Sequence, residues 1–405
     1  MSAKGTGGPL EGVTVIDLTT VVVGPICTRT LADQGAEVIK VEAPGGGDIL
    51  RYLAAGSRSP AMSGKFINFN RNKRSIVLDI KQPSGMEAMR RLIARADVFV
   101  SNVRPAALAR AGLDWEALSA INKRLIHCGI VAFGTDGRYA NRPAYDPVIQ
   151  SLSGVAGTFQ RAIGEPRFVP MVMTDHITGL VSAQAIGFAL YRREKTGVGE
   201  SIEVPMFETM ASFVASEHLG AATFDPPEGP TGDGRLLSPD YRPLPTKDGY
   251  ITVRPNNNRQ AFAFFDAVGR PELKTDPRFE SSIARTINAP DYFKVQVESL
   301  TQKTTAEWLE IFGKADVPAA GYNSIDDLLT DPHLADVGFW HFDDHPTEGR
   351  IRRTRTPVTF RGGMRDDVRP APRLGQQTRA ILGELGYDAP AIAAMLESGA
   401  AEENT

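Results

Sequence analysis

Two hydrophobic periods alternate through the first part of the chain. GVTVIDL, from Gly12 to Leu18, is a short β-branched run and predicts a strand. The loop TTVVVGP follows, then a helix from Ile26 to Gln34 that stops at Gly35. AEVIKVE, from Ala36 to Glu42, predicts a second strand, closed by Pro44 and the glycines 45 to 47. SIVLDI (Ser75 to Ile80), DVFVSNV (Asp97 to Val103) and Leu125 to Phe133 predict three more. Between them, Ser84 to Ala96 places Met86, Met89, Leu92 and Ile93 on one helical face. Strands alternating with helices predict an α/β fold, with a parallel sheet covered on both faces.

Asp175 to Lys195 predicts a long helix stopped at Gly197 and Gly199. A strand (Gly199 to Met206) and a helix (Phe207 to Leu219) come next. Thr223 to Thr246 is rich in Pro, Gly and Asp and has no period, which marks a linker or functional loop. The pattern restarts at Gly249 with the strand YITVRP and helices around Phe262 to Val268, Tyr292 to Leu300 and Ala306 to Ala315. The tail from Arg350 offers a strand, Pro357 to Phe360, and two short helices. The expected layout is a large domain over 1–222, a linker or active-site loop over 223–246, a small α+β domain over 247–335, and a return segment, 336–405, completing the large domain.

Composition narrows the function. Lys and Arg number 45 against 48 Asp and Glu, so the net charge of −3 lacks the basic excess of a nucleic-acid binder. The two cysteines, Cys27 and Cys128, cannot build a disulfide framework or a four-thiolate zinc site. MSAKGTGGPLEG has no apolar signal core. The longest mostly apolar stretch, Leu180 to Tyr191, falls short of the roughly 20 residues of a membrane span. A cytoplasmic enzyme is the expectation.

The opening strand, loop, helix and strand, ending in Glu42, outline a dinucleotide-binding unit. Its first turn, however, has only Gly24 where the pyrophosphate needs three glycines, so NAD is not expected. No GxxxxGK[ST] phosphate loop occurs. Arg71, Lys73 and Arg74 cluster before one strand. Lys81, Asn102 and Arg104 follow strands, at the edge where open parallel sheets bind ligands, with Arg110 beyond. Such cations suit a phosphorylated nucleotide, or simply a solvated face. His341 and His345 flank Asp343 and Asp344 but have no frame to converge on a metal, and a solvated loop is expected there. Asp175 stands at the start of the long helix, where it reads as an N-cap or as a nucleophile whose ionised form the free backbone N–H groups favour. The same N–H groups are candidates to stabilise an oxyanion.

The ordered landmarks GPLEGVTVIDLT, Gly24-Pro25, LADQGAEVIKVEAPGGGD, NRNKRSIVLDIK, ADVFVSNVRP, YDP and the Asp175 segment followed by REKTGVGESIEV are together specific. Through them the chain resembles the class III coenzyme A transferase (CaiB/BaiF) family, which includes formyl-CoA transferase, carnitine CoA-transferase and the α-methylacyl-CoA racemases. The match runs from about Leu10 to Met206 and continues more weakly to PRLGQQT. The resemblance implies a Rossmann-like large domain built from both chain ends, a small domain between, and an interlocked homodimer. It implies Asp175 as the catalytic residue. It implies coenzyme A contacts at Val21, Val22, Val23, Leu78, Lys81, Asn102, Val103, Arg104, Arg110, Ala144, Tyr145 and Asp146, and a substrate-covering loop at Gly232 and Gly234. Coenzyme A then serves as substrate and carrier, without metal or NAD. The partners are an acyl-CoA and a small carboxylic acid. Ala43, Val22 and the shortened glycine loop depart from the formyl-CoA transferase pattern.

The implied reaction passes CoA through covalent aspartyl intermediates. Racemisation, the alternative within the family, needs an acid and a base on opposite faces of an α-carbon. The racemases carry histidine where this chain has Tyr145. A CoA-binding protein without turnover would share every CoA contact. Arg235, Arg242 and Arg254 are candidates to hold the second carboxylate of a dicarboxylic acid.

Overall fold

The structure, a computed structural model, describes residues 7–53, 56–361, 363 and 368–403. The first six residues, part of the stretch without an apolar signal core, lie outside them. The chain divides into two compact units. One comprises 1–153, 169–212 and 338–405, and the other 154–168 and 213–337. The second unit thus begins before the composition break at Thr223 and takes in a segment expected in the large domain.

The first unit contains β1 (Thr14–Leu18), α1 (Val23–Asp33), β2 (Glu37–Glu42), α2 (Gly64–Asn70), β3 (Lys73–Leu78), α3 (Pro83–Arg95), β4 (Val98–Ser101), α4 (Pro105–Ala111), α5 (Trp115–Ile121), β5 (Ile126–Val131) and α6 (Asp146–Leu152). After α7 (Val155–Ile163) of the second unit come α8 (Met173–Thr196) and β6 (Glu200–Pro205), and α9 (Met206–His218) leads into the second unit. There lie β7 (Leu244–Pro245), β8 (Tyr250–Val253), α10 (Asn258–Ala267), α11 (Ser282–Ile287), α12 (Ala289–Leu300), α13 (Thr305–Lys314), β9 (Ala319–Gly321) and α14 (Pro332–Asp336). The chain returns with β10 (Trp340–His345), β11 (Gly349–Thr354), α15 (Thr378–Glu384), α16 (Ala389–Glu397) and β12 (Ala401–Glu402).

The main sheet runs β12-β3-β2-β1-β4-β5-β6, parallel throughout except for β12. The order 3-2-1-4-5-6 is the doubly wound one. It reverses direction between β1 and β4, which opens a crevice at their carboxyl ends. Ile16, Ile39, Ile76 and Phe99 join Met89, Leu92 and Ile93 of α3 in one core, closed by Ile381, Leu382 and Met395 of the returning helices. The second unit packs Leu244, Ile251, Phe264, Phe265, Trp308 and Phe312 into its own core over the antiparallel sheet β7-β8-β9.

Two expectations are corrected in the tail. Pro357 to Phe360 is not a strand, and the His341 to His345 segment is not a solvated loop. It is β10, paired with β11 in register His345↔Gly349. Asp343 takes Arg353 across the hairpin. His345 is buried, its Nε2 on Ala371 O and its Nδ1 accepting from the Thr347 and Glu348 amides. A third correction concerns the cations expected before the strand at Ser75, since β3 already begins at Lys73. Arg71 is paired with Asp33 and Arg74 with Glu384, so they are neither a solvated face nor available to a phosphate.

Lys73 is fully buried 3.0 Å from Asp17, and Lys40 is fully buried 3.0 Å from Asp48. Asp17 also accepts from the Thr19 amide and hydroxyl and from Thr28. Burial opposes the charge of Asp17, but Lys73, Lys40 and these donors prevail and hold its pKa down to about 2. Lys40 donates to Thr19 O, and Asp48 accepts from the Val21 amide. The network therefore fixes the turn after β1. Removing one partner of such a pair strands the other, at about 3–5 kcal/mol. Asp17→Ala and Lys73→Met are each expected to lower stability by about that amount, and the double variant by less than the sum, in urea unfolding followed by circular dichroism. Because the folded pKa of Asp17 is depressed, its contribution is present above about pH 4 and fades as the pH falls toward 2.

Candidate active site

The crevice at the switch in strand order is a cleft of about 250 Å³. Its walls come from the turn after β1 (Thr20 to Val23), the turn after β4 (Asn102 to Pro105), the end of β5 (Ile130 to Ala132), the 140–145 segment, and Met206; Asp175 completes it. Among the described lining residues, Asp175 is the one carboxylate.

Close backbone approach shapes this place. A Cβ on Gly24 would sit 2.2 Å from the Cβ of Thr19, and one on Gly179 would sit 2.6 Å from the carbonyl oxygen of Val23. Both glycines let α1 start tightly against its own turn and against α8. Val21 adopts φ 67°, the left-handed region that a β-branched residue rarely enters. Its amide is held at 3.0 Å by Asp48. Asn102 latches the two turns: its Oδ1 accepts from the Thr20 amide at 3.0 Å and its Nδ2 donates to Thr20 O at 2.9 Å.

Asp175 is the third residue of α8, whose N-cap is Val172, a residue without a side-chain cap. The expectation of an N-cap aspartate is therefore corrected, and the cap function comes from elsewhere. Asp146, the first residue of α6, turns its Oδ2 onto the Thr174 amide (2.7 Å), the Thr174 hydroxyl (2.6 Å) and the Asp175 amide (3.2 Å). Gln150 holds the other oxygen at 2.6 Å. Asp146 is 3% exposed and does not line the cleft; its carboxylate holds the start of α8.

This arrangement reverses the expected electrostatics of Asp175. The N–H groups expected to favour its ionised form already serve Asp146. Burial, joined by the negative charge of Asp146, instead pushes the Asp175 carboxyl up to about 7. His176 packs edge-on to Phe69, and burial together with Arg29 lowers its pKa.

Of the other expected contacts, Val21, Val22, Val23, Asn102, Val103, Arg104, Ala144 and Tyr145 line the cleft. Leu78, Lys81 and Arg110 do not. Leu78 is buried in the core and pairs with Ala401. Lys81 is exposed beyond β3, two strands from β1, and Arg110 is exposed on α4. Gly232 and Gly234 belong to the second unit, where the Gly232 amide donates to His218 O at 2.7 Å. Arg235 and Arg242 are engaged by Asp233 and Asp240. Sequence reasoning missed Arg142, which lines the cleft and lies 4.1 Å over the Tyr139 ring; its place two residues before the expected contact Ala144 is the available signal.

A carboxyl with a raised folded pKa binds its proton more tightly folded than unfolded. Its contribution to stability is therefore greatest below about pH 4 and is lost as the pH rises from there through 7. Asp175→Asn removes that loss. The variant is expected to match the parent near pH 4 and to exceed it at pH 8, by at most about 4 kcal/mol at about 1.36 kcal/mol per pH unit. Urea unfolding at the two pH values checks this.

Residues 10–378 match the model of CoA-transferase family III. The chain is 34% identical to the mouse (Mus musculus) succinyl-CoA:glutarate CoA-transferase over 400 residues, covering 98% of this chain and 91% of that protein. It is 32% identical to an Escherichia coli formyl-CoA:oxalate CoA-transferase, covering 97% of this chain and 99% of that protein. A crystal structure of a CaiB/BaiF family protein from Brucella suis superposes with a TM-score of 0.79 at 32% identity, over 94% of this chain and 100% of that one. Matched to the family model over residues 10–378 and to such relatives along nearly its whole length, the chain belongs to CoA-transferase family III and is a CoA-transferase.

Proposed function

We propose that the protein moves coenzyme A from an acyl-CoA donor to a small dicarboxylic acid, with Asp175 as the covalent carrier. The observation that carries this reading is the position of Asp175 as the single carboxylate among the described residues of the cleft. A carboxylate nucleophile keeps the thioester energy out of water and makes exchange between two acids nearly thermoneutral. The choice of a dicarboxylic acid rests on relatives named for glutarate and oxalate.

Asp175 attacks the donor carbonyl carbon, the C–S bond breaks, and CoA thiolate leaves an acyl-aspartyl anhydride. The thiolate attacks the aspartyl carbonyl and releases the donor acid, so CoA becomes an aspartyl thioester. The acceptor carboxylate displaces the thiolate to form a second anhydride. The thiolate then takes the acceptor acyl group, and the Asp175 carboxylate is restored. Each addition creates an oxyanion. The N–H groups at the start of α8 are engaged by Asp146. The first turn of α1 leaves its own amides without intrahelical partners, and its N-cap Val22 and first residue Val23 line the cleft. We assign the oxyanion to these amides.

Arg104, exposed at the mouth, suits the CoA phosphates, and Lys81 and Arg110 are assigned only to its distal nucleotide end. Gly232 and Gly234 are assigned to the loop that excludes water. An interlocked homodimer suits α8, which leaves Leu180, Phe188 and Tyr191 exposed in a single chain. Among the described residues no helix is long and apolar enough to cross a membrane, and a cytoplasmic location remains our reading. Racemisation is disfavoured, because Tyr145 is 73% exposed and no histidine lines the cleft among the described residues.

Asp175→Ala and Asp175→Asn are expected to bind CoA and to lose on the order of 1000-fold or more in transfer, as befits the loss of a nucleophile, measured with succinyl-CoA and glutarate. In the parent, kcat/KM is expected to rise with pH through about 7 as Asp175 ionises. A chiral 2-methylacyl-CoA in deuterated water is expected to stay unlabelled at the α-carbon. Substantial turnover by Asp175→Ala would defeat the covalent reading, and rapid labelling would favour the racemase.

A further inference from the structure

The second unit holds a cavity of about 320 Å³ that the transfer mechanism does not use. Arg254 and Arg285 line it with Tyr241, Tyr292, Phe293 and Gln296. Arg285 is 4% exposed, and its guanidinium donates only to neutral oxygens: Phe279 O at 2.7 Å, Asn258 Oδ1 at 2.9 Å and Ser282 Oγ at 3.1 Å. Burial lowers its pKa. Arg254 lies 4.7 Å over Tyr241 and 5.4 Å over Phe293, and donates to Val253 O. Among the described residues, no carboxylate forms an ion pair with either guanidinium. A buried cation without a counter-charge is costly, and the cost falls when an anion enters.

Two further groups line the same space. Tyr292 Oη and Gln296 Oε1 are buried, in residues 7% and 1% exposed. They lie one turn apart on α12, where the Gln296 side chain comes within hydrogen-bonding reach of the Tyr292 hydroxyl, and neither atom has a partner on any other described residue. Buried polar atoms are normally satisfied, and an anion in the cavity would take the Tyr292 hydroxyl as a donor. Burial drives the Tyr292 phenol up to about 12, which keeps it a donor.

We propose that this cavity binds a small organic oxyanion, its carboxylate or phosphate gripped by Arg254 and Arg285, with the Tyr292 hydroxyl donating to it and its body against Tyr241 and Phe293. The guanidinium fork fits both kinds of oxyanion. Every residue of this set belongs to the second unit and none lines the Asp175 cleft, so the site does not depend on the transfer mechanism.

Calorimetric titration of the full chain with glutarate, and separately with inorganic phosphate, tests this. Saturable binding of at least one is expected. Glutarate alone identifies a carboxylic acid, phosphate alone a phosphoryl compound, and both the oxyanion itself. Arg254→Gln is expected to weaken binding about 10-fold or more, as the loss of a charge-assisted pair does. Tyr292→Phe is expected to weaken it about 3-fold, as the loss of one neutral donor does. Asp175→Ala is expected to bind as the parent does. The proposal fails if neither probe binds saturably, if Arg254→Gln and Tyr292→Phe keep parental affinity, or if Asp175→Ala loses binding equally, which would place the anion in the cleft.

Discussion

Two buried lysine–aspartate pairs under the turn after β1 are the constraint on which the site depends. Lys73 with Asp17 and Lys40 with Asp48 are wholly removed from water. Such pairs are poor contributors to net stability but are costly to break. Their effect here is positional. Thr19 is held from both sides, and Val21 is held in a backbone region that its side chain disfavours. The helix α1 then starts with its N-cap Val22 and first residue Val23 lining the cleft. Rigid placement of donors before substrate arrives is what makes electrostatic stabilisation effective.

The second constraint is the sharing of a helix terminus between two acids. Asp146 takes the amides of the first turn of α8, and Asp175, in that same turn, is left buried beside the negative charge. A carboxyl near 7 can ionise at neutral pH yet is not stabilised as a bystander ion. In the proposed mechanism its relief comes from forming the anhydride and then the thioester, each of which removes the charge from a poorly solvated place. The two cysteines offer no rival nucleophile: both are buried, and burial raises both thiols, Cys128 to about 12.

Much of the sheet is legible in the sequence because β-branched runs such as Val15 to Leu18 and Val38 to Val41 are largely buried and bounded by turn residues. The hydrophobic pattern starts α1 at Ile26, short of its true beginning at Val23. Val23 to Pro25 has the composition of a loop, and the absence of a side chain at Gly24 leaves room for Thr19 against this first turn. Hairpin β10–β11 is hidden by its charges: Asp343 and Arg353 satisfy each other across the strands, a pairing no local pattern reveals. The same holds at the site. Asp175 is legible from its place in an ordered set of landmarks. The role of Asp146 is not, because it depends on two helices meeting 29 residues apart in sequence. Arg71 and Lys73 read as surface cations because their partners lie 38 and 56 residues away.

The most direct measurement of the central claim is to trap the intermediate. The protein is mixed with succinyl-CoA in the absence of any acceptor, digested, and examined by peptide mass spectrometry. The account predicts a CoA or acyl adduct on the peptide that contains Asp175, removable by hydroxylamine. An adduct on Cys27 or Cys128 instead, or none on the Asp175 peptide while transfer proceeds, would contradict it.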